Sequence, residues 1–389
     1  MNILFVLYHD FSTSSAIHVH NFANLLAKNG CNCAVAVPAN KESVTEYLGG
    51  DVLYQPCTFA ESLERSVELF SGEAMDIIHA WTPRENVRKQ CDLLKKRYPG
   101  SKLIVHLEDN EEMIVESFVG LPYDQIRSLS EERLRFLLPD LLASPYHYPL
   151  FLEQADAVSV ITDALLDFVP SHKVYHRLWP AIDLRRFSPE IDGRAVRNRL
   201  GFSEDDFLIC YVGSVHGVNA QEVRSLYQAG FMANDLGIPV RLIRAGRDVV
   251  DFLGADKDEL QRYVTNVGYV DMDDVPGLMA AADLLVQPGE NDRFNRYRLP
   301  SKIPEFLAVG KPVAVPRVNI GLHLQDRENA FLMETGDAAS IVAVIRLISN
   351  DRELGERIGA NGRTFAELNF SEDTVYGKLS AFYESVLAL

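Results

Sequence analysis

Short apolar runs alternate with helical stretches down the first half of this chain, and then the alternation starts again. Residues 2–8, 33–37, 76–80, 102–107 and 155–161 are short, mainly apolar runs. That is the pattern of strands buried on both faces in a parallel sheet. Between them, 18–29 and 85–97 carry helical spacing, the first stopped by Gly30. A second series follows Arg177-Leu178-Trp179-Pro180-Ala181-Ile182-Asp183, with helices predicted at 194–200, 221–236 and 338–349. Its strands are predicted at 207–212, 240–245, 283–287, 312–315 and 330–332. This alternation predicts two doubly wound α/β domains, 1–185 and 186–369. Such sheets bind ligands beyond the carboxyl ends of their strands, so two facing lobes would hold a cleft between them.

The run from Arg298 to Val313 carries the chemistry. It reads Arg298-Leu299-Pro300-Ser301-Lys302-Ile303-Pro304-Glu305-Phe306-Leu307-Ala308-Val309-Gly310-Lys311-Pro312-Val313, a Pro-Ser helix start, a carboxylate one turn inside, a Gly stop and a Pro-led strand. A helix opening there offers free backbone N–H groups and the positive end of its dipole, which suit phosphate. Glu305 projects from the same turn and can accept hydrogen bonds from a diol such as ribose. Phosphate beside ribose is a nucleotide.

Composition narrows the classes. A chain of 389 residues is too long for one ordinary core, so two domains of roughly 180 residues are expected. Apolar content of 47% with 24% charged residues is that of a soluble globular protein. A net charge of −17 argues against nucleic acid or an anionic membrane as a partner held by overall electrostatics, although a local basic patch could still bind either. The opening Met1-Asn2-Ile3-Leu4-Phe5-Val6-Leu7-Tyr8 lacks a basic leader and reads as a first strand, which gives a cytoplasmic expectation. Residues 123–153 form an irregular, mostly helical insertion with apolar patches at 134–138 and 141–142. It reads as a subdomain packed on the first sheet, or else as a cover for an acceptor or a peripheral contact with the inner membrane face. Cys31, Cys33, Cys57, Cys91 and Cys210 are scattered and read as buried reduced thiols.

The Arg298–Val313 run resembles the nucleotide-sugar motif of retaining glycosyltransferases with the GT-B fold, in particular glycosyltransferase family 4 (glycosyl transferases group 1). Other pieces resemble that family in the correct order. They are the small-residue loop Ser12-Thr13-Ser14-Ser15-Ala16, the strand Asp76-Ile77-Ile78-His79-Ala80, Val105-His106, and Ala155-Asp156-Ala157-Val158. Ile182-Asp183 with Phe187-Ser188-Pro189, then Tyr211-Val212-Gly213, Val267-Gly268-Tyr269-Val270 and Ala282-Asp283-Leu284 complete the series. The resemblance implies a GT-B architecture of two facing Rossmann-like domains, with a final helix within 370–389 crossing back onto the first.

It also implies site roles. Glu305 would hold the ribose, while the backbone at Leu299, Pro300, Ser301 and Lys302 would meet the diphosphate, with Ser301 as cap or hydroxyl ligand and Lys302 as a charge. Gly213 and Ser214 would form the phosphate loop. His106 would orient the donor sugar, so His106, Lys302 and Glu305 are the catalytic candidates. Ser14, His18, Glu108 and Asp109 are acceptor-side candidates, with His20 and Glu111 beside them. Two departures stand out: Tyr297 occupies the position eight before Glu305 where the family usually has Glu, and the loop Gly213-Ser214-Val215-His216-Gly217-Val218-Asn219 lacks the family's Arg and Lys. Arg244, Arg247, Arg293, Arg296 and Arg298 are the cations left to face a diphosphate. Asp271-Met272-Asp273 spells a metal-binding triplet of another glycosyltransferase fold but precedes a helix cap, and no metal or cofactor is expected.

The expected activity is retaining transfer of a sugar from a nucleoside-diphosphate sugar to a hydroxyl of a glycan, lipid-linked glycan or small molecule. A non-catalytic nucleotide-binding or scaffolding protein, or a nucleotide-sugar epimerase of the same fold, are the alternatives.

Overall fold

A computed structural model describes residues 1–48 and 50–389, and it divides into two compact units, Met1–Ala181 with Glu372–Leu389, and Ile182–Ser371. The first holds a seven-stranded sheet in the order β3-β2-β1-β4-β5-β6-β7. Its strands are β1 (Asn2–Leu7), β2 (Asn32–Val37), β3 (Gln55–Thr58), β4 (Ile77–Trp81), β5 (Lys102–Leu107), β6 (Ala157–Val160) and β7 (Val174–Arg177). The second holds six strands in the order β10-β9-β8-β11-β12-β13. These are β8 (Phe207–Val212), β9 (Val240–Ala245), β10 (Val264–Gly268), β11 (Leu284–Val286), β12 (Val313–Pro316) and β13 (Phe331–Met333). Every pairing in both sheets is parallel. In each, the strand order reverses beside the first strand, between β1 and β4 and between β8 and β11. Loops part to opposite faces there and leave a crevice at the carboxyl edge.

All ten predicted strands are present, and the three missed ones are β3, β7 and β10, each at a sheet edge. An edge strand is shielded on one side only, so its sequence has no need of a continuous apolar run. Gln55-Pro56-Cys57-Thr58 and Val174-Tyr175-His176-Arg177 are accordingly mixed in character. The first helix, Ser14–Lys28, begins four residues before the expected start because Thr13, in extended backbone, accepts a hydrogen bond from the Ala16 N–H. Of the small residues that read as a loop, Ser14, Ser15 and Ala16 are therefore its first turn and Thr13 its cap.

The helix Arg352–Phe370 was not legible, because Gly355, Gly359 and Gly362 dilute its helical signal. Those glycines are there for contact. A Cβ on Gly359 would stand 2.4 Å from the Gly310 carbonyl oxygen. The last helix, Glu372–Leu387, sends Val375, Leu379, Phe382, Tyr383 and Val386 into the core of the first unit, among Phe5, Phe22 and Trp81. Insertion residues Tyr123, Ile126, Leu134 and Leu142 form a small core with Val115 of the preceding helix, while Phe136 stays exposed. Among the described residues no helix is long and apolar enough to cross a membrane.

Alanine at position 359 sets two effects against each other. Helix propensity favours it by about 1 kcal/mol, whereas a methyl driven into backbone that cannot rotate away costs about 1–3 kcal/mol. Gly359→Ala should therefore lower the stability of the second unit, and a urea midpoint that rises or stays fixed would contradict the close approach.

Candidate functional site

In the second unit, chemistry gathers where β8 and β11 part. The loop Gly213-Ser214 leaves β8, and the helix Lys302–Ala308 begins after the connection from β11. The two meet at a glycine: a Cβ on Gly213 would lie 3.1 Å from Lys302 Cε and 3.0 Å from the Tyr211 hydroxyl oxygen, so the bare backbone lets both side chains lie against the loop without giving way. Gly246 makes the second close crossing. Its φ of +125° suits glycine alone, and a Cβ there would stand 2.3 Å from the Gly213 oxygen and 2.9 Å from Arg244 Nη1.

Arg244 is 0% exposed. Its Nη2 donates to Asp248 Oδ1 at 2.6 Å, while Nε and Nη1 find no partner among the described residues. Burial pushes the Lys302 ammonium below the ordinary lysine range, Glu305 opposes that shift, and the Arg298 and Arg244 guanidinium groups add to it. Glu305, one turn along, is thus the leading charge acting on Lys302, with the two arginines working against it.

The remaining cations separate by what they hold. Arg298 reaches back to Glu222 Oε2 at 3.1 Å and to Asn295 Oδ1 at 2.7 Å through Nη2. Asn295 in turn donates to Glu222 Oε1 at 2.6 Å. Arg298 is a brace for the segment that leads into the helix. Arg247 is exposed and lies over the Tyr269 ring at 4.7 Å, and Arg293 and Arg296 are exposed on the short helix before the motif. Ser301 does not cap: its backbone is already helical, at φ −56° and ψ −19°, and from there its hydroxyl cannot fold back onto the next N–H groups. Ser214 Oγ accepts from the Arg247 N–H at 3.4 Å, which ties the β8 and β9 loops together. Leu299 is buried and Pro300 half-buried. The Asp271-Met272-Asp273 triplet has Asp273 paired with Arg186 at 3.0 Å, and among the described residues no group of three metal-binding side chains occurs.

The first unit presents a different surface chemistry at its own carboxyl edge. His106 lies beside Trp81 and Ser159 in the parallel register. Its ring stacks on Trp81 at 3.8 Å, its Nδ1 meets Ser159 Oγ at 2.8 Å, and its Nε2 has no partner among the described residues. Trp81 Nε1, Thr82 Oγ1 and Thr162 Oγ1 are buried and unpartnered at the same strand ends. Burial holds the His106 pKa at about 3, with Glu108 opposing and His18 assisting the shift, so the ring is neutral.

Glu108 follows at once. Its Oε1 meets His18 Nδ1 at 2.6 Å, and its Oε2 accepts from Ser15 Oγ. Burial alone would raise this carboxyl, yet the hydrogen bond and charge of His18, the field of His106 and the Ser15 hydroxyl bring it down to about 2. The serine that meets Glu108 is Ser15; Ser14 points out from the first turn and is exposed. Glu111 is bound to Arg84 at 3.3 Å, and Asp109 is half-buried between them in sequence. His20 belongs to the interior, between Tyr54 at 3.0 Å and Asn24 at 3.0 Å, which removes it from the acceptor-side set.

Sequence reading brought together His18, His106 and Glu108, and Gly213, Lys302 and Glu305. It missed Ser15, Trp81, Ser159, Thr82 and Thr162. The alternation His79-Ala80-Trp81 within an apolar strand does put two polar-edged rings on one face, and that was the available signal.

Both halves take the Rossmann-like α/β form of the GT-B fold. Sucrose-phosphate synthase from Thermosynechococcus elongatus superposes with a TM-score of 0.72 at 18% identity, over 100% of this chain and 99% of that one. Anabaena HepE, solved with UDP and glucose, gives 0.70 at 16% identity over 99% and 100%. Residues 206–351 match the family model described as Glycosyl transferases group 1. D-inositol 3-phosphate glycosyltransferase of Salinispora arenicola is 27% identical over 226 residues, 54% of this chain and 49% of that one. The chain spans about half the length of the curated relatives it matches.

Buried neutral histidines make the first unit acid-sensitive. His79 lies well below the usual imidazole range, His176 is near 4 and His106 near 3, each chiefly through burial. The unfolded chain takes up protons below about pH 6.5 while the folded chain refuses them, so stability falls as pH drops from there towards 3. Glu108 adds a second loss between about 4.5 and 2. Denaturant midpoints taken from pH 7 to pH 4 should decline, and His106→Gln should flatten that decline by up to about 1.4 kcal/mol per pH unit. An unchanged slope in the variant would place a charged His106 in the fold.

Proposed function

We propose that this chain is a retaining glycosyltransferase that takes its sugar from a nucleoside-diphosphate sugar and delivers it to a hydroxyl acceptor, without a metal ion. The observation that carries this reading is the meeting of Lys302 with the bare Gly213 backbone at the β8–β11 crevice, backed by the buried Arg244. Beyond their partners Asp248 and Glu305, Arg244 keeps two nitrogens without a partner among the described residues, and such a site suits an anionic ligand. The neighbours point the same way, since HepE was solved with UDP and glucose and the curated relatives are named glycosyltransferases.

In this reading Lys302 meets the diphosphate directly, while Arg244, closed off from solvent, contributes its field across the Gly213 crossing. Arg244 thereby fills the role left open by a β8 loop without cations. Glu305 accepts the ribose hydroxyls. As the bond between the anomeric carbon and the phosphate oxygen breaks, negative charge grows on that oxygen, where these positive groups are already in place. The acceptor oxygen bonds to the same carbon on the same face, and its proton passes to the departing phosphate. His106, neutral at working pH, donates a hydrogen bond to a sugar oxygen and carries no proton in the reaction. Glu108, held ionised by Ser15 and His18, is suited to accept hydrogen bonds from sugar hydroxyls.

Thermal shift with UDP-, GDP- and ADP-sugars identifies the donor, and chromatography of the products separates transfer from epimerisation. Binding without sugar transfer or hydrolysis would favour a scaffolding role. Glu305→Gln should weaken nucleotide-sugar affinity about tenfold, or about 1.4 kcal/mol, in calorimetry. Lys302→Ala should lower turnover more than it lowers affinity, because its charge counts most when the phosphate leaves. Wild-type affinity in a folded Glu305→Gln protein would remove the ribose assignment.

A further inference from the structure

Behind His106 runs a continuous line of buried polar side chains within the first unit. Tyr383, on the helix Glu372–Leu387, meets His79 Nδ1 at 2.8 Å. His79 Nε2 meets Ser159 Oγ at 2.9 Å, and Ser159 Oγ meets His106 Nδ1 at 2.8 Å. All four side chains are 0% exposed. The line crosses β4, β6 and β5 and ends at the unpartnered Nε2 at the carboxyl edge of the sheet. We propose that this chain, Tyr383–His79–Ser159–His106, fixes His106 in the tautomer protonated on Nε2, so that the ring presents a neutral N–H donor to a sugar oxygen, with Tyr383, His79 and Ser159 as positioning residues.

Direction follows from counting hydrogens and ring lone pairs. Each neutral imidazole has one N–H and one bare nitrogen, and the serine has one hydrogen to give. If Tyr383 donates to His79, His79 to Ser159 and Ser159 to His106, a single group is left over, the His106 Nε2–H. In the reverse order two are stranded, the Tyr383 hydroxyl hydrogen deep in the core and the His106 Nε2 lone pair. If both histidines donate to Ser159, its hydrogen and that lone pair are stranded. Buried polar groups are rarely left unpaired, so the first order is favoured. Burial keeps both rings uncharged, which the count requires. Glu108 does not take the Nε2–H: it meets Ser15 and His18, and the His106 Nε2 has no hydrogen-bond partner among the described residues.

The last helix of the chain therefore sets the hydrogen-bond polarity of a side chain three hydrogen bonds away. That gives the Tyr383 hydroxyl a task apart from packing. It rests on the sugar-transfer reading only for the identity of the oxygen that His106 meets; the tautomer itself is a property of the protein alone.

Long-range proton–nitrogen NMR of the full chain labelled with 15N-histidine, with His106 assigned by its loss in His106→Gln, reads the tautomer directly. His106 should show its proton on Nε2. Tyr383→Phe keeps the ring but makes the forward and reverse orders equal, two stranded groups each, so the His106 signal should move towards a mixture. Ser159→Ala should do the same by cutting the line. In the transfer assay Tyr383→Phe should lower kcat roughly tenfold, one hydrogen bond's worth, with KM for the nucleotide sugar within twofold. A wild-type His106 protonated on Nδ1, or an unaltered His106 signal in Tyr383→Phe and Ser159→Ala, overturns the proposal. Should Tyr383→Phe not fold, the wild-type spectrum and Ser159→Ala decide it. An Nε2–H His106 in a protein that binds no nucleotide sugar would leave the relay standing and remove the donor reading alone.

Discussion

Positive charge that the fold has not fully neutralised, held at the carboxyl edge of the second sheet, is the constraint around which that unit is arranged. Burying a guanidinium with two unpartnered nitrogens costs several kcal/mol unless something compensates. Asp248 compensates Arg244 in part, and Glu305 does so for Lys302. The remainder is what an anionic ligand can use. Gly246 makes the arrangement possible, since a side chain there would drive into the Gly213 carbonyl and separate the two loops, and Gly213 leaves Lys302 and Tyr211 room to lie close. Arg298, Glu222 and Asn295 then lock the approach to the helix, so that Lys302 and Glu305 come from a rigid element.

The first unit solves the opposite problem. Its carboxyl edge brings together hydroxyls, the neutral His106 ring and the ionised Glu108, while the Arg84 charge beside them is taken by Glu111. Such a set matches the alternating donors and acceptors of a polyol and offers little to a phosphate. The relay from Tyr383 extends the same logic: a neutral imidazole is a useful donor only when its proton is on the outward nitrogen, and in a dry interior the other nitrogen's partner decides that. Two parallel sheets of like topology thus carry edges of contrasting electrostatic character.

Legibility in the sequence tracked burial. Strands in the middle of both sheets were readable because both faces are covered, which forces a continuous apolar run; β3, β7 and β10 were not, because an open edge relaxes that demand. The Arg298–Val313 motif was readable as chemistry, since Pro, Ser, Lys, Glu and Gly at those spacings have few other uses together. Ser301 illustrates the limit. Its identity suggests a cap, and a backbone angle removes it.

What the sequence determined by itself was the alternation of buried strands and amphipathic helices, and the local helix start that carries Lys302 and Glu305, because both depend on neighbours within a few residues. Tertiary structure alone decided which of five arginines lies behind the Gly213 loop, that Ser15 and not Ser14 meets Glu108, and that Tyr383 is wired to His106 through residues up to 304 positions away. Those pairings depend on strand order and on close backbone crossings, and neither has a signature in the spacing of residues along the chain.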